Sequence, residues 1–307
     1  KIFTTHEGVL LMRNFLLIPH LKIQNANAMS SPYTIGFPAM TAWLGAVHAL
    51  QRKLQAQGYT NIVLDKVAVS CHHFDLQTYK GRGDFIHSIV GTANPLDKDG
   101  SRPAFIEEAR CHLEVSLLIE CQNLDPDEEK QLLADVQNLI LNMKFASGDI
   151  LSARQSEFIH FDEDQHLETE LPKVTKKLML GNVLIERRDL VIESMNEGKD
   201  ALDAVLDYLK VTHSSTQDEN GKVTWSSKRK TMGWLVPIAV GFQGISEVGQ
   251  AKNQRDANTP HRFAESVITL GEFIMPYRIK SMDQLLWKYH FDLENNLYLC
   301  QNLTTTI

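Results

Sequence analysis

A chain of 307 residues with 43% apolar and 22% charged residues has the composition of a globular protein, long enough for one large domain or two medium ones. It contains no run of about twenty apolar residues, so no membrane span is expected. Its first residues carry too short an apolar patch, and no small-residue cleavage site, for a signal peptide. The formal net charge of −7 argues against a nucleic-acid partner until the charges are mapped along the chain.

In chain order, residues 1–14 form an N-terminal extension in which Met12 is a candidate natural start. Phe15–Ile23 then reads as an apolar strand. It runs into Ile23–Pro38, IQNANAMSSPYTIGFP, a segment of amides, hydroxyls and small residues with no carboxylate. Such a segment suits an extended polar ligand and is poorly equipped for acid–base chemistry. Pro38–Leu54 reads as a helix, with Trp43, Val47, Leu50 and Leu54 on one face, His48 and Arg52 on another, and Pro38 in the first turn. The polar segment therefore leads to a helix N-terminus, where free N–H groups favour phosphate.

Ile62–Phe74 reads as a strand, with Val67, Val69 and Cys71 alternating against Ala68, Ser70 and His72. Tyr79–Asp84, a short β-like run Phe85–Val90 and the turn-rich Asn94–Gly100 suggest an inserted hairpin. Leu113–Cys121 is the next strand. Leu113, Val115, Leu117 and Ile119 form one face, and Arg110, His112, Glu114 and Ser116 the other. Asp125-Pro126-Asp127-Glu128 reads as an N-cap followed by proline at the first helical position. Leu132, Val136, Leu139, Ile140 and Met143 supply that helix's buried stripe, and a strand over Asp149–Ala153 follows.

This order is the ferredoxin-like βαββαβ arrangement, shared by the RNA-recognition module. The alternating aromatic signature of that module is absent, so topology alone does not license an RNA function. The expected fold class is α+β: an RRM-like palm over 15–155 with a β-hairpin thumb inserted at about 76–111, then a mixed, partly helical C-terminal region over 156–307. In that region Asp162–Glu170 reads as a linker or solvated loop. Leu178–Met195, Ala201–Leu209, Arg262–Phe273 and Met282–Tyr289 read as helices, and Ser214–Asn220 as a mobile polar loop. Trp234–Ile238 reads as a strand whose Pro237 suggests an edge.

The four cysteines, Cys71, Cys111, Cys121 and Cys300, form no CxxC pair, which argues against a zinc ribbon and favours the reducing cytoplasm. Twelve histidines show no HExxH or HxxxH spacing, so neither a metal nor a cofactor is expected. The charges are uneven. Gly8–Leu64 has no Asp or Glu but holds Arg13, Lys22, Arg52 and Lys53, and Gly221–Ser246 holds Lys222, Lys228, Arg229 and Lys230. A local basic groove and a chance fluctuation explain these windows equally well.

IQNANAMSSPYTIGFP followed by Val47-His48-Ala49-Leu50-Gln51-Arg52 strongly resembles the Csy-type branch of the Cas-five family, repeat-associated RNA-binding proteins of type I-F CRISPR surveillance (Cascade) complexes. Other blocks agree: Asn94-Pro95-Leu96 with Asp99-Gly100-Ser101, Glu107-Glu108 with His112–Leu118, Gly233–Ile238, and Thr259-Pro260 with Arg262-Phe263 and Leu270-Gly271-Glu272. The resemblance runs from about Leu16 to about Trp287. It implies a non-catalytic subunit of an antiviral ribonucleoprotein that holds the five-prime handle of the crRNA. Implied partners are the large subunit that reads the protospacer-adjacent motif, the adjacent backbone subunit of the crRNA filament, and target DNA through the complex. The inserted hairpin corresponds to the family's thumb.

With that ligand, Gln24, Asn25 and Asn27 can read base edges or sugar hydroxyls, Ser30, Ser31 and Thr34 can bind phosphate, and Phe37 can stack on a base. The same amides and hydroxyls can instead satisfy the segment's own backbone. Arg52 and Lys53 are phosphate ligands or solvated helix ends. Arg110 and His112 face a sheet-bound RNA or pair with Glu108 or Glu114. Arg229, beside Trp234, clamps the handle or belongs to a solvated basic run. The alternative is an endoribonuclease that processes precursor crRNA by metal-free acid–base chemistry, drawing on His20, His48, His72 and His112.

Overall fold

The structure, a computed structural model, describes residues 12–92, 96, 98–101, 108–162, 167–252, 254, 256 and 258–302. The first strand is present and longer than expected, Met12–Asn27 (β1). His20 (φ 51°) and Asn25 (φ 55°) occupy left-handed backbone at two register slips, between Ile18 and Leu21 and between Ile23 and Ala26. Each slip resets the two-residue alternation, so Leu16, Ile18, Leu21, Ile23 and Ala26 all reach the same core. Residues 12–14 belong to this strand and not to an extension. Met12–Leu17 pairs with a later strand, and Arg13 Nε donates to Glu120 Oε1 at 2.6 Å. Residues 1–11 lie outside the described residues.

The polar segment folds back on itself as a small hairpin, Met29–Ser31 (β2) and Thr34–Ile35 (β3), before helix α1, Met40–Ala56. Trp43, Val47, Leu50 and Leu54 are buried along α1 as their spacing predicts. Val63–Leu76 (β4) follows. The inserted hairpin starts with Thr78–Tyr79 (β5) pairing Ser88–Ile89 (β6). Gly91–Thr92 (β7) then pairs the start of Glu108–Gln122 (β8). The expected turn at Asn94–Gly100 and Glu107 of the family resemblance fall wholly or partly outside the described residues. Helix α2, Glu129–Ile140, starts after the expected Pro126, because Asp125 Oδ1 accepts the N–H of Asp127 at 3.0 Å and makes a turn ahead of the helix. Lys144–Phe145 (β9) and Gly148–Ser152 (β10) complete this part.

The C-terminal part is richer in strands than its sequence suggests. Glu157–Asp162 (β11) and Leu167–Lys177 (α3) take up most of the expected acidic linker, whose residues 163–166 lie outside the described set. Leu178–Met195 is not one helix but Asn182–Glu186 (β12) followed by Arg188–Asn196 (α4). Ala201–Leu209 (α5) is helical as expected, capped by Asp200 accepting the N–H of Asp203. The expected mobile loop Ser214–Asn220 is half of a hairpin, Thr212–Gln217 (β13) with Val223–Lys228 (β14). Trp234–Gly244 (β15) is a strand; Pro237 pairs with Leu270 on one side, and pairing on the other side, with Leu297–Leu299, begins only at Gly241. Arg262–Phe273, expected helical, is mostly the strand Ala264–Ile274 (β16), whose β-branched Val267-Ile268-Thr269 run pairs along β15. Met282–Tyr289 is a short 3-10 turn leading into Trp287–Asp292 (β17), with Leu297–Asn302 (β18) last.

These strands form a large antiparallel sheet in the order β12-β16-β15-β18-β17-β4-β8-β1-β10-β9, with β11 on β1 and β7 on β8. An additional β12–β4 pairing closes β4, β17, β18, β15, β16 and β12 into a ring. The protein is thus α+β. Helices α1 and α2 cover one face of β4, β8, β1 and β10, over a core that contains Trp43, Leu117, Val136 and Phe145. On the opposite face Phe15, Leu17, Ala68 and Leu118 pack under Phe161, Leu171, Val174 and Leu285. A third cluster seats α4 and α5 on β15 and β16. The face opposite α1 and α2 is therefore covered at one end, by α3 and its neighbours, and open at the other.

Candidate nucleic-acid interface

The polar segment divides into side chains used internally and side chains left at the surface. Ser31 and Thr34 are buried. Thr34 Oγ1 lies 2.8 Å from both Ser30 Oγ and Ser31 Oγ, and Ser31 Oγ accepts the N–H of Tyr33 at 3.1 Å. These hydroxyls tie the hairpin turn, so Ser31 and Thr34 are not free phosphate ligands. Phe37 is not a base-stacking residue either. It is 5% exposed and packs on Trp43, with Phe74 and Phe273 alongside. Phe273 in turn meets Trp234 at 5.1 Å, and Trp234 is 54% exposed. The aromatic row that begins in the core at Trp43 thus surfaces at Trp234.

Asn27 marks the mouth of a pocket of about 260 Å³ at the N-terminus of α1, lined by Asn27, Ser30, Ala39, Thr41 and Ser147 among others. Asn27 Oδ1 accepts the N–H of Met29 at 2.9 Å, and its own N–H donates to Ala146 O at 2.7 Å. Ala146 and Ser147 both sit in left-handed backbone, which turns the β9–β10 corner into the pocket wall. No side chain caps α1 and its first turn holds no acid, so the helix presents the equivalent of about half a positive charge here.

A second group gathers Asn25, Arg110, His112 and Gln77. Gln77 Nε2 donates to Asn25 Oδ1 at 2.6 Å, the N–H of Asn25 donates to His112 Nδ1 at 3.3 Å, and Arg110 Nη1 donates to Asn25 O at 3.3 Å. Arg110 also pairs with Glu108. Lys22, Gln24, His73, His112 and Glu114 line an open pocket of about 370 Å³ on the same strands. Gln77, which the sequence did not single out, locks Asn25 in place. Its signal was faint, a lone amide just after the apolar alternation ends.

Deeper on this face, His20 and His72 stack with centroids 4.3 Å apart. His20 Nδ1 is 2.6 Å from Glu114 Oε1, and His72 Nε2 is 2.7 Å from Ser116 Oγ, which also accepts the N–H of His20. Burial, reinforced by His20, pushes His72 down to about 4, so its ring is neutral near neutral pH. The hydrogen bond to His20 holds Glu114 below its ordinary range.

The remaining expected residues are dispersed. Arg52 and Lys53 are exposed at the far end of α1, about 18 Å from its N-terminus at 1.5 Å per residue. Arg229 is exposed at the root of the β13–β14 hairpin. The acid-free window is not a basic groove. Arg13 pairs with Glu120 and Asp283, and Lys22 lies 3.9 Å from Glu114. Among the described residues no His, Cys, Asp or Glu cluster is grouped to hold a metal, and no helix is long and apolar enough to cross a membrane. The cysteines are buried in the sheet, where burial pushes each thiol up to about 12.

Residues 16–300 match the family model for CRISPR-associated protein Csy2. The CRISPR-associated protein Csy2 of Pseudomonas aeruginosa (strain UCBPP-PA14) is 35% identical over 308 aligned positions, covering 92% of this chain and 93% of the relative. The matched span includes the polar segment, the α1 pocket, the Asn25 group and the β13–β14 hairpin, and on that basis the chain belongs to the Csy2 family of CRISPR-associated proteins.

Proposed function

We propose that this chain is the non-catalytic RNA-binding subunit of a type I-F CRISPR surveillance complex, holding the five-prime handle of the crRNA and pairing with the large subunit at the tail of the complex. The observation that carries the reading is the α1 N-terminal pocket. It offers an uncapped helix end, neutral amide and hydroxyl side chains and no carboxylate, which is a grip for a phosphate and not an active site. The Asn25–Gln77–Arg110–His112 group supplies a second, preorganised polar patch. The strand order β4-β8-β1-β10, with α1 after β1 and α2 after β8, supports the ferredoxin-like palm. The exposed Tyr79, Phe85 and Ile86 of the inserted hairpin support a thumb that meets the neighbouring backbone subunit.

The stacked His20–His72 pair favours a second reading, the endoribonuclease, because it brings together two groups that acid–base cleavage would need. The pair is committed elsewhere. His20 Nδ1 is held by Glu114, His72 Nε2 by Ser116, and a Cβ on Gly181 would lie 2.9 Å from His72 Nδ1, so backbone covers that nitrogen. Incubation with end-labelled repeat RNA is expected to leave it intact, and a site-specific product lost in His20→Ala would establish the endoribonuclease.

Handle binding is tested with Asn25→Ala/Asn27→Ala, which is expected to weaken retention of handle RNA while the fold persists. If about four phosphates are contacted, log affinity falls with log salt at a slope of about −3. A flat salt dependence with unchanged binding of the double variant overturns the reading.

A further inference from the structure

The β13–β14 hairpin is a part of the chain that the handle reading leaves unused. All six residues of each strand are exposed. A two-stranded ribbon in water is marginal by itself. Its root, however, is clamped. Asp207 of α5 pairs with Lys210 on one leg at 2.7 Å and with Lys230 on the other at 3.0 Å, and with Lys199 as a third cation. Lys230 also lies 4.5 Å from the Tyr208 ring centroid. Hydrogen bonds from the three lysines hold Asp207 well below the usual carboxylate range, so the clamp stays charged. The ribbon is aimed outward from a fixed base.

Its register sorts the side chains. His213 opposite Ser227, Ser215 opposite Trp225 and Gln217 opposite Val223 share one face; the other face is almost entirely Thr and Ser, with Lys228 at its root. Trp225 is 71% exposed, and His213 is its diagonal neighbour, its Nδ1 2.8 Å from Ser227 Oγ. Neither strand carries a carboxylate. The nearby Asp218 is spent in the turn, accepting the N–H groups of Asn220 and Lys222 at 3.0 and 2.8 Å. A protein-docking ribbon would surround its tryptophan with apolar side chains. Here the same-face neighbours are the hydroxyls of Ser215 and Ser227, the amide of Gln217, the imidazole of His213 and a single apolar side chain, Val223, with the exposed Arg229 following β14, which is the chemistry of a base platform beside a phosphate ligand.

We propose that this face of the hairpin is a stacking platform for unpaired bases of a nucleic-acid strand, with Trp225 the main platform, His213 beside it, and the exposed Arg229 at the root meeting the phosphates. It lies apart from the α1 pocket and does not depend on the handle reading.

The test uses the full chain with fluorescein-labelled rU15 and dT15 at low salt. Trp225→Ala is expected to weaken binding about tenfold, the effect of one lost stacking contact. The melting temperature should hold, since Trp225 is outside all three cores. Trp225→Phe should keep most of the affinity, and 5-bromouridine in the RNA should crosslink to the Trp225 peptide. Tighter binding of rU15 assigns the platform to guide RNA, and of dT15 to a displaced DNA strand. No binding of either oligomer by the unaltered chain, or equal binding by Trp225→Ala, overturns the proposal. So does normal oligomer binding by Trp225→Ala with lost assembly of partner subunits, which makes the ribbon a protein dock. If Asn25→Ala/Asn27→Ala loses handle RNA while Trp225→Ala is neutral, the platform fails and the handle reading stands; the converse result sinks the handle reading and leaves the platform in place.

Discussion

Placing a carboxylate at the N-cap of α1 separates folding from binding, because the two respond with opposite sign. Ala39 has extended backbone (φ −56°, ψ 144°), the conformation an N-cap residue adopts, and no side chain caps the helix. Ala39→Asp should therefore stabilise the fold by about 1 kcal/mol through the missing cap, with a further contribution of about 0.3–1 kcal/mol from the helix dipole. In a chain of this size that raises the melting temperature by roughly 2 °C or more. A phosphate in the pocket would sit about 5 Å from the new charge. Coulomb repulsion there is about 0.8 kcal/mol at the dielectric of water and about 3.3 kcal/mol at an effective value of 20, or roughly 4- to 250-fold in affinity. Ala39→Asn supplies the cap without the charge and should keep the stability gain with a much smaller binding loss. The assay is fluorescence anisotropy with labelled handle RNA alongside a thermal melt of each variant. A stabilised Ala39→Asp chain that binds handle RNA like the parent would refute the phosphate role of this helix end.

Three further outcomes are expected. Glu120, 7% exposed, is gripped by Arg13 and by Lys66, whose Nζ lies 2.7 Å from Oε2 off the hydrogen-bond angle; Glu120→Gln leaves both cations short of charge and should cost about 2 kcal/mol in a urea titration, less than a fully buried pair because Arg13 keeps Asp283. An unshifted midpoint would contradict it. Gly241→Ala would bring a Cβ to 2.0 Å from Tyr298 O and 2.8 Å from Leu299 Cα, both backbone, so the β15–β18 pairing must open; a loss of about 3 kcal/mol is expected, against none if the strands simply part. Stability should also fall as pH drops from about 6.5 to about 4, because the unfolded chain protonates His72 at its ordinary value while the folded chain, with its pKa pushed down to about 4, does not. The loss is about 1–2 kcal/mol after allowing for the ring's partial exposure, it levels off below about 4, and His72→Gln should flatten that limb of the pH–stability curve.

Strong periodicity was legible in the sequence and pairing was not. The α1 stripe and the two faces of β8 follow from spacing alone, because burial on one side imposes it. Asn182–Glu186 and Ala264–Ile274 read as helix because their apolar residues admit both periods, and only their partners across the sheet decide in favour of strand. Phe37 looked like a stacking residue because it ends a polar segment, yet Trp43 and Phe273, distant in sequence, enclose it. The acid-free window, which left a basic groove and a chance fluctuation equally open, was undecidable for the same reason. Arg13 and Lys22 meet Glu120 and Glu114, which lie more than ninety positions away and arrive only when β8 pairs with β1. The β1 bulges were hidden too, since the left-handed backbone at His20 and Asn25 carries no glycine to announce it.

If the chain holds RNA as proposed, those bulges decide where. In the ferredoxin-like palm proposed for this chain, the sheet face opposite α1 and α2 would be the natural platform for bases. Here one end of that face is sealed by Phe15, Leu17, Ala68 and Leu118 beneath α3 and its neighbours. The other end offers His20, stacked on His72 and held by Glu114. Asn25 and Asn27 escape both constraints because the second bulge shifts them to the rim of the sheet. There one meets Gln77 and Arg110 from the start of the inserted hairpin and from β8, and the other meets the N-terminus of α1. The proposed grip is therefore a rim grip, reading a strand that crosses the edge of the palm. It follows that removing the bulge should harm binding more than removing any one cation: deleting Asn25, which restores simple alternation with Ala26 still on the core face two positions after Ile23 but takes away the residue that meets Gln77 and Arg110, should abolish handle binding, whereas Lys22→Ala should weaken it only slightly.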